Sequence, residues 1–268
     1  CKIAEAASEV GDKNTAGDSL ERASAILNRE SATDESGYAG WLNVFASACI
    51  KLGDTERARS AIEKHLAKIK GENEGMRSLD EYHLLPSFKE LAAFYVREEN
   101  LKEAMALVDS LSDARWQGHL LLAIVRELPD EKQAREIIAD VETSRIGAIG
   151  FGGYQEEVRA EVVKTKAVRG NLPEALATMK HGDERLEGSA RIEFARFTFA
   201  ERGKEAAEAI LREINPNNPS LSERERAYLL EELARAEMQF GNGDAAKDLL
   251  ARGIRAANAA YSPQFAYA

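Results

Sequence analysis

The stretch "CIKLGDTERARSAIEKHL" (49–66) decides the fold. Two helix-like runs meet at the Gly53–Asp54 step, and Ala58 follows five residues after the glycine. Looser echoes stand at "AVRGNLPEALATM" (167–179) and "QFGNGDAAKDLLARGI" (239–254). Helical periodicity runs along the whole chain, with no strand-like alternation. The step therefore reads as the turn of a helical hairpin, and Ala58 as the small residue that lets its two helices approach.

A small residue after each turn tests for internal periodicity. Ala23, Ala58, Ala104, Ala134, Ala175, Ala206 and Ala246 serve as anchors, and their mean spacing is about 37 residues. Anchors two apart differ by 71 (104 to 175), 72 (134 to 206) and 71 (175 to 246). Tyr82 precedes Tyr154 by 72, and "DARWQG" (113–118) precedes "DERLEG" (183–188) by 70. The spacing predicts a unit of about 71 residues containing two hairpins, and about seven hairpins in one array over residues 1–268. Each hairpin exposes an apolar stripe when alone, so neighbours must stack to bury it.

Prolines are expected at helix boundaries: Pro86, Pro129, Pro173, Pro216, Pro219 and Pro263. Pro173 suits a first helical turn, where its missing N–H has no partner to lose. Extra length falls in three connections, 70–83, 142–155 and 215–226, which read as long loops along one edge. Ser222 is placed to cap the helix that follows the last of them.

Composition narrows the function classes. Apolar residues make up 44% and charged residues 31%, as in folded globular chains. The 36 basic and 46 acidic side chains leave −10, which argues against wholesale nucleic-acid binding. No apolar run approaches the roughly 18 residues a membrane span needs. Cys1 and Cys49 form neither a disulfide framework nor a metal ligand set. Cys49 is expected to be a buried small hydrophobe. Cys1 is read as a processed or truncated terminus of a chain that is a fragment of something longer, with a lipid anchor as the lesser alternative. The compartment, cytoplasmic or periplasmic, stays open.

At "YAGWLNVFASACIKLGDTERARSAIEKHLAKIK" (38–70) the chain resembles the tetratricopeptide-repeat family, through its KLGD turn, Ala58 and Ile62. "YLLEELARAEMQFGNGDAAKDLLARGI" (228–254) is a second match. The family's small residue of the first helix is met by Ala46, Ala92 and Ala234 but replaced by Leu122 and Val163. Its tyrosine is kept at Tyr95 and becomes Cys49 and Glu237. The resemblance implies an all-α, right-handed superhelix, or solenoid, whose first helices line a concave groove for peptides or partner proteins. Carried over, the groove positions are Asn43, Ser47 and Lys51, then Lys89 and Arg97. Trp116, His119 and Arg126 follow, then Lys164, and finally Glu231, Arg235 and Gln239. Their cations suit an acidic segment or a terminal carboxylate. The competing reading is that long basic side chains solvate a helix face beside Glu127, Glu157, Glu193 and Glu201.

Catalytic and metal chemistry finds little footing. His65, His83, His119 and His181 make no i,i+4 metal pair, and His65 is expected to be packed and hydrogen-bonded. "GAIGFGG" (147–153) follows a helix and lacks the strand and lysine of a phosphate loop. Asp80/Glu81 and Glu156/Glu157 are adjacent, hence on different helix faces. Phe194, Phe197 and Phe199 are expected to pack between hairpins. No cofactor is expected. The sequence thus points to a non-enzymatic scaffold that binds a protein or peptide partner in its groove. The alternative is a structural subunit docking laterally in a larger assembly or a homo-oligomer.

Overall fold

The computed structural model describes residues 4, 6–7, 12–30, 35–69, 74–149, 152–179 and 183–261, and no strand occurs among them. Readings that concern Cys1, His181 or Pro263 lie outside these residues. The fold is all-α. Helix α1 (Lys13–Glu30) precedes three hairpins, α2 (Glu35–Lys51) with α3 (Thr55–Ile69), α4 (Glu74–Arg97) with α5 (Leu101–Ser110), and α6 (Ala114–Glu127) with α7 (Glu131–Asp140). Three more follow, α8 (Gly152–Val168) with α9 (Leu172–Thr178), α10 (Glu184–Arg202) with α11 (Lys204–Arg212), and α12 (Glu223–Gln239) with α13 (Gly243–Tyr261). The chain packs as two compact units, Cys1–Val158 and Arg159–Ala268.

The Gly–Asp turn that opened the sequence reading is made four times. Gly53, Glu99, Gly170 and Gly241 adopt φ of +79°, +56°, +82° and +81°. Each donates its N–H to the carbonyl three residues back, and the next residue donates five back, at 2.8–3.1 Å. That pair of bonds closes a helix through a left-handed residue. The residue after it, Asp54, Asn100, Asn171 or Asn242, then starts the second helix. Asn100 and Asn171 share nearly the same backbone, φ −106° and −107°, and each side chain accepts the N–H of the glutamate three residues on. Asn100, Asn171 and Asn242 stand 71 residues apart, so the long period of the sequence returns as repeated turn geometry.

Close packing repeats on the same period. A Cβ on Gly118 of α6 would lie 3.1 Å from Val158 Cγ1 of α8, and one on Gly188 of α10 would lie 2.7 Å from Leu229 Cδ1 of α12. Gly188 lets α12 settle against α10, and Gly118 admits Val158 at close range. In the first unit α2 packs on α4 and α4 on α6; in the second α10 packs on α12. Val163, Ala167, Ala175, Leu186 and Ala190 form one core cluster, and Ile192, Ala195, Leu211, Leu229 and Leu233 belong to another. Phe194 joins the first and Phe199 the second, where it stacks on Phe240 at 4.5 Å.

Four sequence expectations need correction. Pro86 sits inside α4 instead of bounding a helix. Its ring and Tyr82, whose carbonyl loses its helical donor, both face solvent, while Leu84, Leu85 and Phe88 on the other side are buried. Burial of that side outweighs the local cost of the proline. The expected loop 70–83 is helical from Glu74 onward. The expected loop 142–155 is a π-helical turn (Val141–Arg145), one α turn (Ile146–Ala148) and the start of α8. An i→i+5 turn puts Val141 and Ile146, five residues apart, on the same buried side. Finally, Ala207 and not Ala206 is the buried anchor of α11, because Gly203 alone both ends α10 and starts α11. The anchor then stands four residues after the residue that precedes the helix and accepts its N–H, as Ala58, Ala104, Ala134, Ala175 and Ala246 do; Ala23 in α1 is only half-buried. The 215–226 connection is irregular up to Ser222, which caps α12 in a reciprocal bond pair with Glu225.

Candidate interaction surface

The first helices carry the polar row assigned to a groove, and the structure ties much of it to neighbouring helices. Asn43 Oδ1 on α2 accepts the N–H of Ser87 on α4 at 3.1 Å, and Ser87 Oγ lies 2.5 Å from the same oxygen. Ser47 Oγ donates to Glu90 at 2.6 Å. In the second unit Ser189 donates to Glu232, whose other oxygen accepts Lys164 Nζ at 2.7 Å. Both serine–glutamate pairs span 43 residues, from one first helix to the next. Burial pushes the Glu232 carboxyl up, but hydrogen bonds from Lys164 and Ser189 and the lysine charge outweigh it, so it titrates below the ordinary glutamate value.

The remaining groove positions divide by exposure. Lys51, Arg97, Arg126, Arg235 and Gln239 are exposed, and Lys89 and Glu231 are half-buried. Arg97 pairs with Glu127 at 3.2 Å and Arg235 with Glu231 at 2.7 Å. The exposed pairs contribute little to stability and leave their charges available to solvent.

Trp116 is closed off: it is 3% exposed, and its indole N–H donates to the Ser78 carbonyl at 3.0 Å. The Arg115 guanidinium lies 3.5 Å above its ring and 4.0 Å from that of Tyr154. Tyr82 stands 5.4 Å from the indole with its ring tilted by 42°, and His119 stacks at 5.8 Å. His119 is itself buried, with Nε2 3.4 Å from Glu157. The two tyrosines that marked the 72-residue spacing thus frame one aromatic stack, with cation–π contacts through Arg115. The spacing was legible in the sequence, but not that both tyrosines converge on Arg115 and Trp116.

Glu81 was also missed as a structural group. It is fully buried on α4, where its carboxylate accepts the N–H of Ser112 at 2.8 Å, the Ser112 hydroxyl at 2.7 Å and the N–H of Asp113 at 3.2 Å. It fixes the chain just before α6. Nothing in the 80–81 pair signals this, because the partners lie 31 and 32 residues away. His65 is packed and hydrogen-bonded as expected, with Nε2 2.9 Å from Asp80. Cys49 is buried, which pushes its thiol up to about 12, with the Asp54 charge adding to the effect. Among the described residues no three His, Cys, Asp or Glu side chains are grouped to hold a metal ion.

Uncovered apolar side chains lie elsewhere. Trp41 and Val44 are exposed on α2. On α12 and α13, Tyr228, Leu250 and Ile254 are exposed around a cavity of about 340 Å³ that Ala227, Glu231 and Gly253 also line. No helix among the described residues is long and apolar enough to cross a membrane. Comparison with family models, with curated proteins and with solved structures gave no significant match.

Proposed function

We propose that the chain is a non-enzymatic protein-interaction scaffold built from tetratricopeptide-like hairpins, which docks partner proteins through uncovered apolar hairpin faces. The observation that carries this reading is the exposed cluster Tyr228, Leu250 and Ile254 beside an open cavity, where the side chains that match Leu250 in four other hairpins, Ile62, Val108, Ile138 and Leu211, are buried. Large apolar side chains gathered at one surface mark interaction sites. Stacking of the hairpins into a right-handed superhelix belongs to the same proposal, supported by the recurring turns and glycine contacts.

A second reading, capture of an acidic segment along the first helices, is favoured by the exposure of Lys51, Arg97, Arg126 and Arg235. It is weakened where Asn43, Ser47 and Lys164 already bond to neighbouring helices. Affinity capture followed by mass spectrometry separates the two. Joint Leu250→Glu and Ile254→Glu should strip the captured partners, whereas charge reversal at Lys51, Lys89 and Arg126 should leave them. The reverse result would move the site to the groove, and capture unaffected by either set would sink both readings.

A further inference from the structure

We propose that the cavity lined by α1, α2 and α3 is a binding site for a small organic carboxylate with an apolar tail. Such a site goes beyond the scaffold reading and does not depend on it. The cavity has a volume of about 300 Å³, at the small end of ligand sites. Leu27 of α1 and Leu42 and Phe45 of α2 are buried and form its floor. Ser60 and Lys64 of α3 are exposed at its mouth, and Arg57 is half-buried. One wall is already held in place: the His65 ring is buried, its Nε2 lies 2.9 Å from Asp80, and the Tyr38 ring stands 5.0 Å away.

The other hairpins show what opens this space. Ala61 stands three residues after its anchor, where four of the other five hairpins carry Leu107, Ile137, Ile210 and Leu249. Helix α3 therefore lacks an aliphatic side chain at this place and has a cavity beside it. Its second departure is charge. Arg57 stands directly before its anchor, where no other hairpin has a basic residue. Arg57, Ser60, Ala61 and Lys64 fall at i, i+3, i+4 and i+7, on one face of α3. Among the described residues the lining holds the cations Arg57 and Lys64 and no aspartate or glutamate, although the chain carries −10 overall. Asp54 accepts Arg57 Nε at 2.9 Å, which orients the guanidinium and answers part of its charge. Two cations against one neighbouring carboxylate favour a ligand with a single negative charge. A carboxylate suits both cations through charge-assisted hydrogen bonds. An apolar tail would displace water from Leu27, Leu42 and Phe45.

The test titrates octanoate into the full chain by isothermal calorimetry, with 1-octanol as a tail-only probe and inorganic phosphate as a charge-only probe. Saturable one-to-one binding of octanoate is expected with a Kd below about 1 mM, and about tenfold or more tighter than either control. Arg57→Gln with Lys64→Gln should weaken it about tenfold or more. Ala61→Leu, which restores the side chain of the other hairpins, should abolish it, with circular dichroism melts showing the fold kept. Should Ala61→Leu melt early, the charge variant decides alone. Ile254→Glu, on the exposed side of α13, should leave binding unchanged. A Kd above about 1 mM overturns the site. Octanol or phosphate binding as tightly as octanoate overturns it too, since the tail or the charge alone would then suffice. Binding indifferent to both α3 variants, or lost in Ile254→Glu, places the ligand elsewhere and overturns it equally.

Discussion

At the scale of single residues, two glycines isolate sterics from backbone conformation. Gly170 and Gly241 close equivalent turns at φ +82° and +81°. A Cβ on Gly241 would meet nothing within 4 Å, whereas one on Gly170 would lie 2.6 Å from the Phe197 ring. Alanine at either site takes the left-handed penalty of roughly 1–2 kcal/mol. Gly170→Ala must also displace an aromatic ring, adding about 1–3 kcal/mol of overpacking. Urea midpoints of the two variants should differ accordingly, and equal midpoints would show that Phe197 moves aside freely. Glu232 offers a second residue-scale test. Its folded carboxyl titrates below the usual 4.5, so its stabilisation is full above that value and is lost as pH falls through the lower folded one. Glu232→Gln should therefore be less stable than the parent at neutral pH, with the gap narrowing once pH falls below 4.5. A gap that stays constant from neutral pH down to where the parent unfolds in acid would show that the carboxylate charge is irrelevant.

At the scale of the element, α4 carries the clearest conflict between local preference and packing. It runs 24 residues with Pro86 inside and packs against α2 and α6. Proline is about 3 kcal/mol worse than alanine within a helix, and Pro86 is exposed. Pro86→Ala should raise stability by roughly 1–3 kcal/mol, read as a higher thermal midpoint. A lower midpoint would mean that the proline bend is needed for α4 to meet both neighbours. The same helix marks the limit of what the sequence makes legible. Turn chemistry is local, so the Gly53–Asp54 step and five of the seven anchor alanines could be read directly, and so could the 71-residue period; Ala206 was one residue off because Gly203 shortens its turn. Within the helical stretch 74–83, Glu81 bonds Ser112 and Asp113, and no local pattern announces a partner 31 residues away. The π turn at Val141–Arg145 follows from burying both Val141 and Ile146, a tertiary demand. The groove row was legible as positions on first helices but not as bonds: Asn43, Ser47 and Lys164 are claimed by residues 44, 43 and 68 positions away. Leu250 and Ile254 stood in plain view as apolar residues, yet their exposure depends on which neighbour covers them.

At the scale of the whole molecule, the major helix contacts join elements that lie close together in the chain, without long excursions between them. Hairpin arrays of this kind behave as chains of nearest-neighbour interactions, in which a local defect is felt most by the elements it touches. Gly188→Val provides that defect, because its side chain must grow into space where even a Cβ would lie 2.7 Å from Leu229. Two hairpins share the contact, α10–α11 and α12–α13. Amide hydrogen exchange of the variant should therefore lose protection chiefly over residues 184–261, where the core containing Ile192, Leu211, Leu229 and Leu233 is pried open. Protection over α2 and α3, several hairpins away along the chain, should change least. The outcome bears on the proposed scaffold function, in which semi-independent hairpins would let one docking face loosen while another is kept. An equal loss of protection from α2 to α13 would instead mean that all the hairpins open as one cooperative body, and that a partner bound at the α12–α13 face stabilises every other hairpin to the same extent.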